Sequence, residues 1–146
     1  MKLSIVVSAI LLAGLTNGAT AACSDTQIVD AALTTLLSGN TVCVSNAKPG
    51  WGGWENQEEH LANGDLVDYK KGSSDPVDPT KKVGTWNISG AGTGTMVNYT
   101  YTDASGTSGP FSFTVHSNNN VNLSFCDASN AEKVAATLKS GLGACP

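Results

Sequence analysis

Arginine is absent from the chain, and acidic residues outnumber the lysines. The formal net charge is −4 at pH 7. A nucleic-acid-binding surface needs basic side chains that displace phosphate counterions, and a surface for anionic lipids needs them too. The composition therefore argues against nucleic acid and anionic membranes as partners.

Long apolar stretches are missing as well, except near the N-terminus. An apolar stretch over residues 5–15 follows Lys2 and precedes Ala19-Thr20-Ala21, an order typical of a secretory signal peptide. The stretch is shorter than the roughly 20 residues that span a bilayer. We therefore predict a signal peptide over residues 1–21 and a single β domain over residues 22–146, secreted or periplasmic and not inserted in the membrane.

Cysteine is sparse and no C-x-x-C pair occurs, which argues against zinc and thioredoxin-type sites. Four cysteines in an exported chain predict two disulfides, with three connectivities open, among Cys23, Cys43, Cys126 and Cys145. A strand that folds back along a preceding helix would bring Cys43 towards Cys23, so we expect the local pairs 23–43 and 126–145. Cys23 also stands where a lipidated cysteine would, but the residues before it lack the aliphatic side chain of that motif.

One helix is expected at the start of the domain. Ser24-Asp25-Thr26-Gln27 has the composition of a capping box, in which two side chains satisfy free backbone N–H groups. Apolar residues then recur at helical spacing, and Gly39 is suited to end the helix in a left-handed conformation. The pattern predicts a helix over about residues 25–38.

The rest of the domain has the pattern of short strands. Val42 to Val44 is β-branched, and Asn63-Gly64 separates two further candidate strands, as in a hairpin with a two-residue type I′ turn. Four later segments alternate apolar and polar residues, which places one face in a core and the other in solvent. Their inward residues are Trp86 and Ile88; Val97, Tyr99 and Tyr101; Phe111, Phe113 and Val115; and Val121, Leu123 and Phe125.

The segment Glu132 to Lys139 fits either a strand or a helix, and we favour a strand because it would continue the meander. The fold class is then mostly β, with one helix followed by seven or eight antiparallel strands. Such a meander forms a small up-and-down barrel or a strongly curved sheet, and closure into a barrel removes exposed edges.

Two resemblances accompany these patterns. Gly84-Thr85-Trp86 at the start of a strand resembles the G-x-W motif of the calycins, which implies an eight-stranded barrel around a small ligand. In lipocalins that motif lies on the first strand, whereas about three predicted strands precede it here. From Leu36 to Cys126 the chain also resembles small exported bacterial proteins of unknown function, in segments that include Asp68-Tyr69-Lys70-Lys71-Gly72, Pro76-Val77-Asp78-Pro79-Thr80 and Val83-Gly84-Thr85-Trp86.

The candidate ligand-binding residues are Trp54, Glu58, His60, Tyr69 and Trp86. With a two-residue turn at Asn63-Gly64, His60 would face Val67, and Glu58 would face Tyr69 across the ladder. Val67 and Tyr69 should point inwards, because Asp68 and Lys70 would otherwise do so. Trp54, Glu58 and His60 would then share that inner face. A buried Glu–His pair is costly unless it is partnered, so it would mark a ligand-contacting cavity; a solvated edge strand or short acidic helix is the alternative.

Other reactive groups form no recognisable constellation. His60 and His116 are the only histidines, and alternation places His116 on the outer face. The Asp-Pro pairs near residues 75–79 are turn formers, and no G-x-S-x-G motif occurs. We expect no metal, cofactor or catalytic residue, and the less favoured reading is a small hydrolase or metal-dependent enzyme around His60 and Glu58.

These patterns favour a non-enzymatic exported protein that binds a small apolar or aromatic molecule, or a glycan, in a barrel-like cavity. The alternative is an envelope or extracellular interaction module, such as an inhibitor or assembly factor, that binds a protein partner through its outer face. An accessible Trp51 and a filled interior would favour that alternative.

Overall fold

The computed structural model describes residues 21–45, 54–68 and 81–146, with the backbone alone at Ser45, Trp54 and Glu55. The predicted signal peptide, apart from Ala21, lies outside these residues. The described elements are the helix α1 (Asp30–Leu37), a 3-10 turn (Gly92–Gly94) and strands β1 (Gln27–Ile28), β2 (Asn40–Ser45), β3 (Trp54–His60), β4 (Asp65–Asp68), β5 (Lys81–Ser89), β6 (Met96–Asp103), β7 (Gly106–His116), β8 (Asn122–Cys126) and β9 (Glu132–Lys139). No helix among them is long and apolar enough to cross a bilayer.

Strands β2 to β9 form a closed antiparallel barrel in which each strand pairs with the next one in the chain. The ring closes where β9 pairs with β2, with Leu138 opposite Val42. β1 is an extra strand beside the end of β7. The predicted mostly β meander with one helix is confirmed, and it is a closed barrel. The strand at Glu132–Lys139 is confirmed as well.

Alternation along the strands sends most apolar side chains inwards, where they form one core. The prediction that Phe111 and Val121 point into this core is wrong, because these residues are 46% and 47% exposed. The helix α1 contributes Leu33 and Leu37, both fully buried, at the end of the barrel where β2 begins. The other buried members of this core are Val42, Leu66, Trp86, Val97, Tyr99, Val115, Leu123, Phe125 and Ala136. An eight-stranded barrel is just wide enough for side chains to fill its interior, or to hold one small ligand.

The predicted start of the helix is wrong. α1 begins at Asp30; the side chain of its N-cap residue, Val29, makes no capping hydrogen bond, and the Asp30 N–H donates to the Thr95 hydroxyl at 3.1 Å. The backbone of the predicted first turn instead pairs with the barrel: Ser117 N–H donates to the Thr26 carbonyl at 2.9 Å, and Gln27 pairs with His116. Tertiary pairing with β7 therefore overrides the local capping signal.

The predicted local disulfides are also wrong. The structure pairs Cys23 with Cys126 and Cys43 with Cys145, so each disulfide joins a terminal segment to a barrel strand. The N-terminal segment pairs with the end of β7, and its Cys23 is linked to Cys126, the last residue of β8. Because Cys43 alternates with inward residues of β2, its side chain faces outwards, where the C-terminal segment reaches it.

The C-terminal segment covers the outer face of β2 and β3. Gly143 N–H donates to Glu59 Oε1 at 2.5 Å, and Cys145 N–H donates to Gln57 Oε1 at 2.7 Å. Glu59 and Gln57 are consequently buried although they point away from the barrel interior. The segment acts as a strap that satisfies these polar side chains.

Candidate ligand-binding cavity

A cavity of about 450 Å³ lies inside the barrel at the end away from α1. Its lining comes from the later part of β2, the first part of β3, the start of β9, and strands β6 to β8. Eight of the eleven lining residues are apolar or aromatic, and the tyrosine hydroxyl groups together with Asn56, Glu58 and Lys133 make a considerable part of the exposed wall polar. The lining residues are Val42, Val44, Asn56, Glu58, Tyr99, Tyr101, Phe113, Phe125, Lys133, Val134 and Ala135.

Glu58 is the acidic side chain of this lining. The Tyr101 hydroxyl lies 2.9 Å from one of its carboxyl oxygens and 3.2 Å from the other. Burial raises the pKa of Glu58 from 4.5 to about 7; the Tyr101 hydrogen bond opposes the shift, and the nearby charge of Asp68 adds to it. Glu58 therefore changes charge near neutral pH, inside the cavity.

His60 lies on the same strand, two residues beyond Glu58, and is completely buried beneath the cavity. Its Nδ1 is 3.1 Å from the Glu58 carbonyl, which can only accept, so Nδ1 carries the proton. Its Nε2 then accepts from the Tyr99 hydroxyl at 2.9 Å. Burial lowers the pKa of His60 to about 4, so the ring is neutral at physiological pH.

His60 is thus a positioning group for the cavity wall. Its ring meets the Trp86 ring edge-on at 5.2 Å between centroids, and the Trp86 indole N–H donates to the Leu61 carbonyl at 3.0 Å. These contacts hold the His60 ring in position, and its Nε2, as the hydrogen-bond acceptor, in turn holds the Tyr99 hydroxyl in position. Tyr99 contacts the rings of Phe113 and Phe125, which continue the aromatic wall.

Lys133 is the basic residue of the lining, and half of its side chain is exposed. Its ammonium group pairs with Asp127 at 2.8 Å, in the β8–β9 connection. Lys133 therefore lies at the mouth of the cavity, with its charge already partnered at the surface.

The predicted register of the β3–β4 hairpin is wrong by one residue. Glu58 pairs with Asp68, and His60 pairs with Leu66. Leu61 and Asp65 close a three-residue loop in which Gly64 has φ +88°, a conformation that glycine adopts without strain. The inward residues of β4 are therefore Leu66 and Asp68, and the expected inward orientation of Val67 is incorrect.

The five predicted site residues separate into three groups. Glu58 and His60 do lie on the inner face, as predicted, because residues two apart on a strand share a face. Trp86 is buried but packs below the cavity and does not line it. Tyr69 lies outside the described residues, as does the side chain of Trp54, so both remain predictions.

Sequence reasoning misses most of the cavity wall. The strand pattern assigns Tyr99 and Tyr101 to the core alone, and it gives Asn56, Phe113 and Lys133 no role as ligand contacts. Asn56 shares the parity of Glu58 along β3, so that strand pattern could have identified it. The aromatic residues could be assigned to the cavity only once it is known which end of the barrel α1 occupies.

His116 belongs to the contact with the N-terminal segment. Its Nδ1 lies 3.0 Å from the Asp25 carbonyl and its Nε2 lies 3.0 Å from the Thr114 hydroxyl. It is therefore buried on the outer side, away from His60. Within the described ranges, no group of three or more His, Cys, Asp or Glu side chains could hold a metal ion.

Comparison with known proteins adds no relative. The sequence matches no protein-family model and no curated protein, and the fold matches no solved structure. The class that the fold defines is a disulfide-bonded, closed eight-stranded β-barrel with an internal cavity.

Proposed function

We propose that this protein is an exported binding protein that takes one small, largely apolar or aromatic molecule into the barrel. The observation that carries the proposal is the cavity of about 450 Å³ inside the closed barrel. Cavities of roughly 300–1,000 Å³ with apolar walls and a few polar groups are typical of small-molecule sites.

The composition of the wall supports this class of ligand. Tyr99, Tyr101, Phe113 and Phe125 provide ring faces, and Val42 provides an aliphatic side. Transfer of an apolar ligand from water to such a wall is favourable in proportion to the area that it buries. Glu58 and Tyr101 are the polar groups that would orient it.

The disulfides support export. Both connect segments more than one hundred residues apart, and such bonds persist in oxidising compartments. This agrees with the signal peptide predicted over residues 1–21.

The test is a titration with N-phenyl-1-naphthylamine, an uncharged probe whose fluorescence rises in an apolar site. The full-length oxidised protein should bind one equivalent. Val44→Trp should abolish binding because Val44 lines the cavity. The matched control is Thr85→Trp, at an exposed position of β5 that does not line the cavity, and it should bind as the wild type does. Binding that survives Val44→Trp, or no binding by the wild type, would reject the proposal.

A further inference from the structure

The carboxyl group of Glu58 lies in an unusual environment for an acid. It shares the cavity wall with the aromatic rings of Tyr99, Tyr101, Phe113 and Phe125. Its hydrogen-bond donor among the described side chains is the Tyr101 hydroxyl. A buried carboxylate is costly unless it is paired with a cation or accepts several hydrogen bonds.

The charged groups around Glu58 do not supply that cation within the described part of the chain. From β4, Asp68 adds a second negative charge; from β6, Tyr99 and Tyr101 are held in their neutral phenol forms, since burial raises the pKa of each. From β3 itself, His60 is neutral and points its Nε2 towards Tyr99. Lys133 of β9 pairs with Asp127 at the mouth. Lys81 of β5 is exposed and lies opposite Asp68, one strand further from Glu58.

The deep part of the cavity is therefore negative and aromatic at the same time. Aromatic ring faces attract organic cations, with the strongest effect in sites shielded from water. A carboxylate beside such faces adds a charge-assisted hydrogen bond to an ammonium group. Both features favour the same chemical group in the ligand.

We infer that the ligand of this cavity is an organic amine: a small molecule with an aromatic or aliphatic body and one protonated nitrogen that pairs with Glu58. The body of the ligand contacts the aromatic wall, and its ammonium group pairs with the Glu58 carboxylate beside the Tyr101 hydroxyl, since no cationic side chain of the described residues pairs with Glu58. This inference rests on the proposed binding function and names the ligand class for that same cavity.

Binding of an amine should depend on pH with a definite sign. An alkylammonium group keeps its charge through neutral pH because its pKa is close to that of lysine, about 10.4. The pKa of Glu58 is raised to about 7 in the free protein, so its ionised fraction grows as the pH rises. Affinity for an amine should therefore increase about tenfold from about pH 6 to about pH 8.

The experiment uses three indoles of similar size with different charges. Tryptamine carries an ammonium group, tryptophol a hydroxyl group, and indole-3-propionate a carboxylate. Calorimetric titration of the full-length oxidised protein near pH 8 should give at least about tenfold tighter binding of tryptamine than of tryptophol, with the acid weakest.

Two variants assign the preference to Glu58. In Glu58→Gln, tryptamine and tryptophol should bind equally, and the pH dependence should disappear. Asp103→Asn is the matched control, because it removes an exposed carboxylate from the last residue of β6, at the same end of the barrel. It should keep the tryptamine preference of the wild type.

Each other outcome overturns the inference in a distinguishable way. Equal affinity for the three indoles, or an amine preference that survives Glu58→Gln, rejects the amine and leaves the binding function intact. Binding of N-phenyl-1-naphthylamine without binding of any indole likewise rejects the amine alone. Failure of that uncharged probe as well rejects the binding function itself.

Discussion

The Tyr101 hydroxyl donates towards both carboxyl oxygens of Glu58, at 2.9 and 3.2 Å, across the interior of the barrel. The bond joins β6 to β3, two strands that are not neighbours in the sheet. It stabilises the ionised form of Glu58 and so opposes the effect of burial on its pKa. The charge in the cavity depends on this contact.

Removal of the Tyr101 hydroxyl should therefore change the titration of Glu58. In Tyr101→Phe, we expect the pKa of Glu58 to rise further above its value of about 7, because the bond that favours the carboxylate is lost. Carboxyl ¹³C NMR against pH measures the shift, with Glu58→Gln to assign the signal. Thr102→Val, at an exposed neighbouring position, is the control. A pKa that stays or falls in Tyr101→Phe contradicts the assigned role.

Glu58 and His60 should affect stability in opposite directions as the pH changes. The raised pKa of Glu58 adds stability that is complete below pH 4.5 and lost as the pH rises through about 7. The lowered pKa of His60 adds stability that is complete above pH 6.5 and lost as the pH falls through about 4. The two contributions have opposite slopes between those limits and offset each other there.

Glu58→Gln should expose this balance. The free energy of unfolding of the variant, less that of the wild type, should increase by about 1.4 kcal/mol per pH unit between pH 4.5 and about 7. Urea unfolding across that range measures the difference. Asp103→Asn should show no such slope, because the pKa of Asp103 lies below its ordinary value. If the difference in the free energy of unfolding between Glu58→Gln and the wild type did not change with pH, Glu58 would not titrate in this range.

Gly84 lies on β5 where the pairing with β4 shifts register. A Cβ atom at this position would stand 2.1 Å from the carbonyl oxygen of Thr100 in β6. Gly84→Ala should therefore lower the free energy of unfolding by about 1–3 kcal/mol, since backbone must move to accommodate it. Gly94→Ala is the control, because no atom lies within 4 Å of its added Cβ. Equal stability of the two variants in urea unfolding would contradict the close packing of β5 against β6.

The disulfides provide a test of the topology. Digestion of the oxidised protein with trypsin and Asp-N separates all four cysteines, and the linked fragments should be 23 with 126 and 43 with 145. Local pairs would contradict the fold.

Replacement of Cys43 and Cys145 together by alanine should lower the free energy of unfolding by about 2–4 kcal/mol in urea unfolding, because it releases a long loop in the unfolded chain.

The strand pattern was predictable because alternation is a local property of the sequence. For residues such as Val97 and Leu123, alternation in the local sequence predicts that the side chain lies on the inner face of the sheet. The strand at Glu132–Lys139, where the local pattern is ambiguous, is predicted because it continues the antiparallel meander. The helix start and the disulfides were not predictable in the same way. Both depend on where the terminal segments run across the barrel, which places Cys23 beside Cys126.

The site was predictable in part for the same physical reason. Period two along β3 keeps Glu58 and His60 on one face in any register. The predicted position of the partner strand is wrong because Asn63-Gly64 forms part of a three-residue loop, which moves Leu66 into the position expected for Val67. Contacts across the interior, such as Tyr101 with Glu58, follow from barrel closure, which leaves no trace in the local sequence.

The central claim is that a ligand occupies the barrel interior, and nuclear Overhauser effects from a bound probe test it most directly. With N-phenyl-1-naphthylamine and methyl-labelled protein, we predict intermolecular effects to the methyl groups of Val42 and Val44 in the cavity wall. Effects to the exposed apolar residues Val121 and Leu142, with none to Val42 and Val44, would place the probe outside the barrel and contradict the claim.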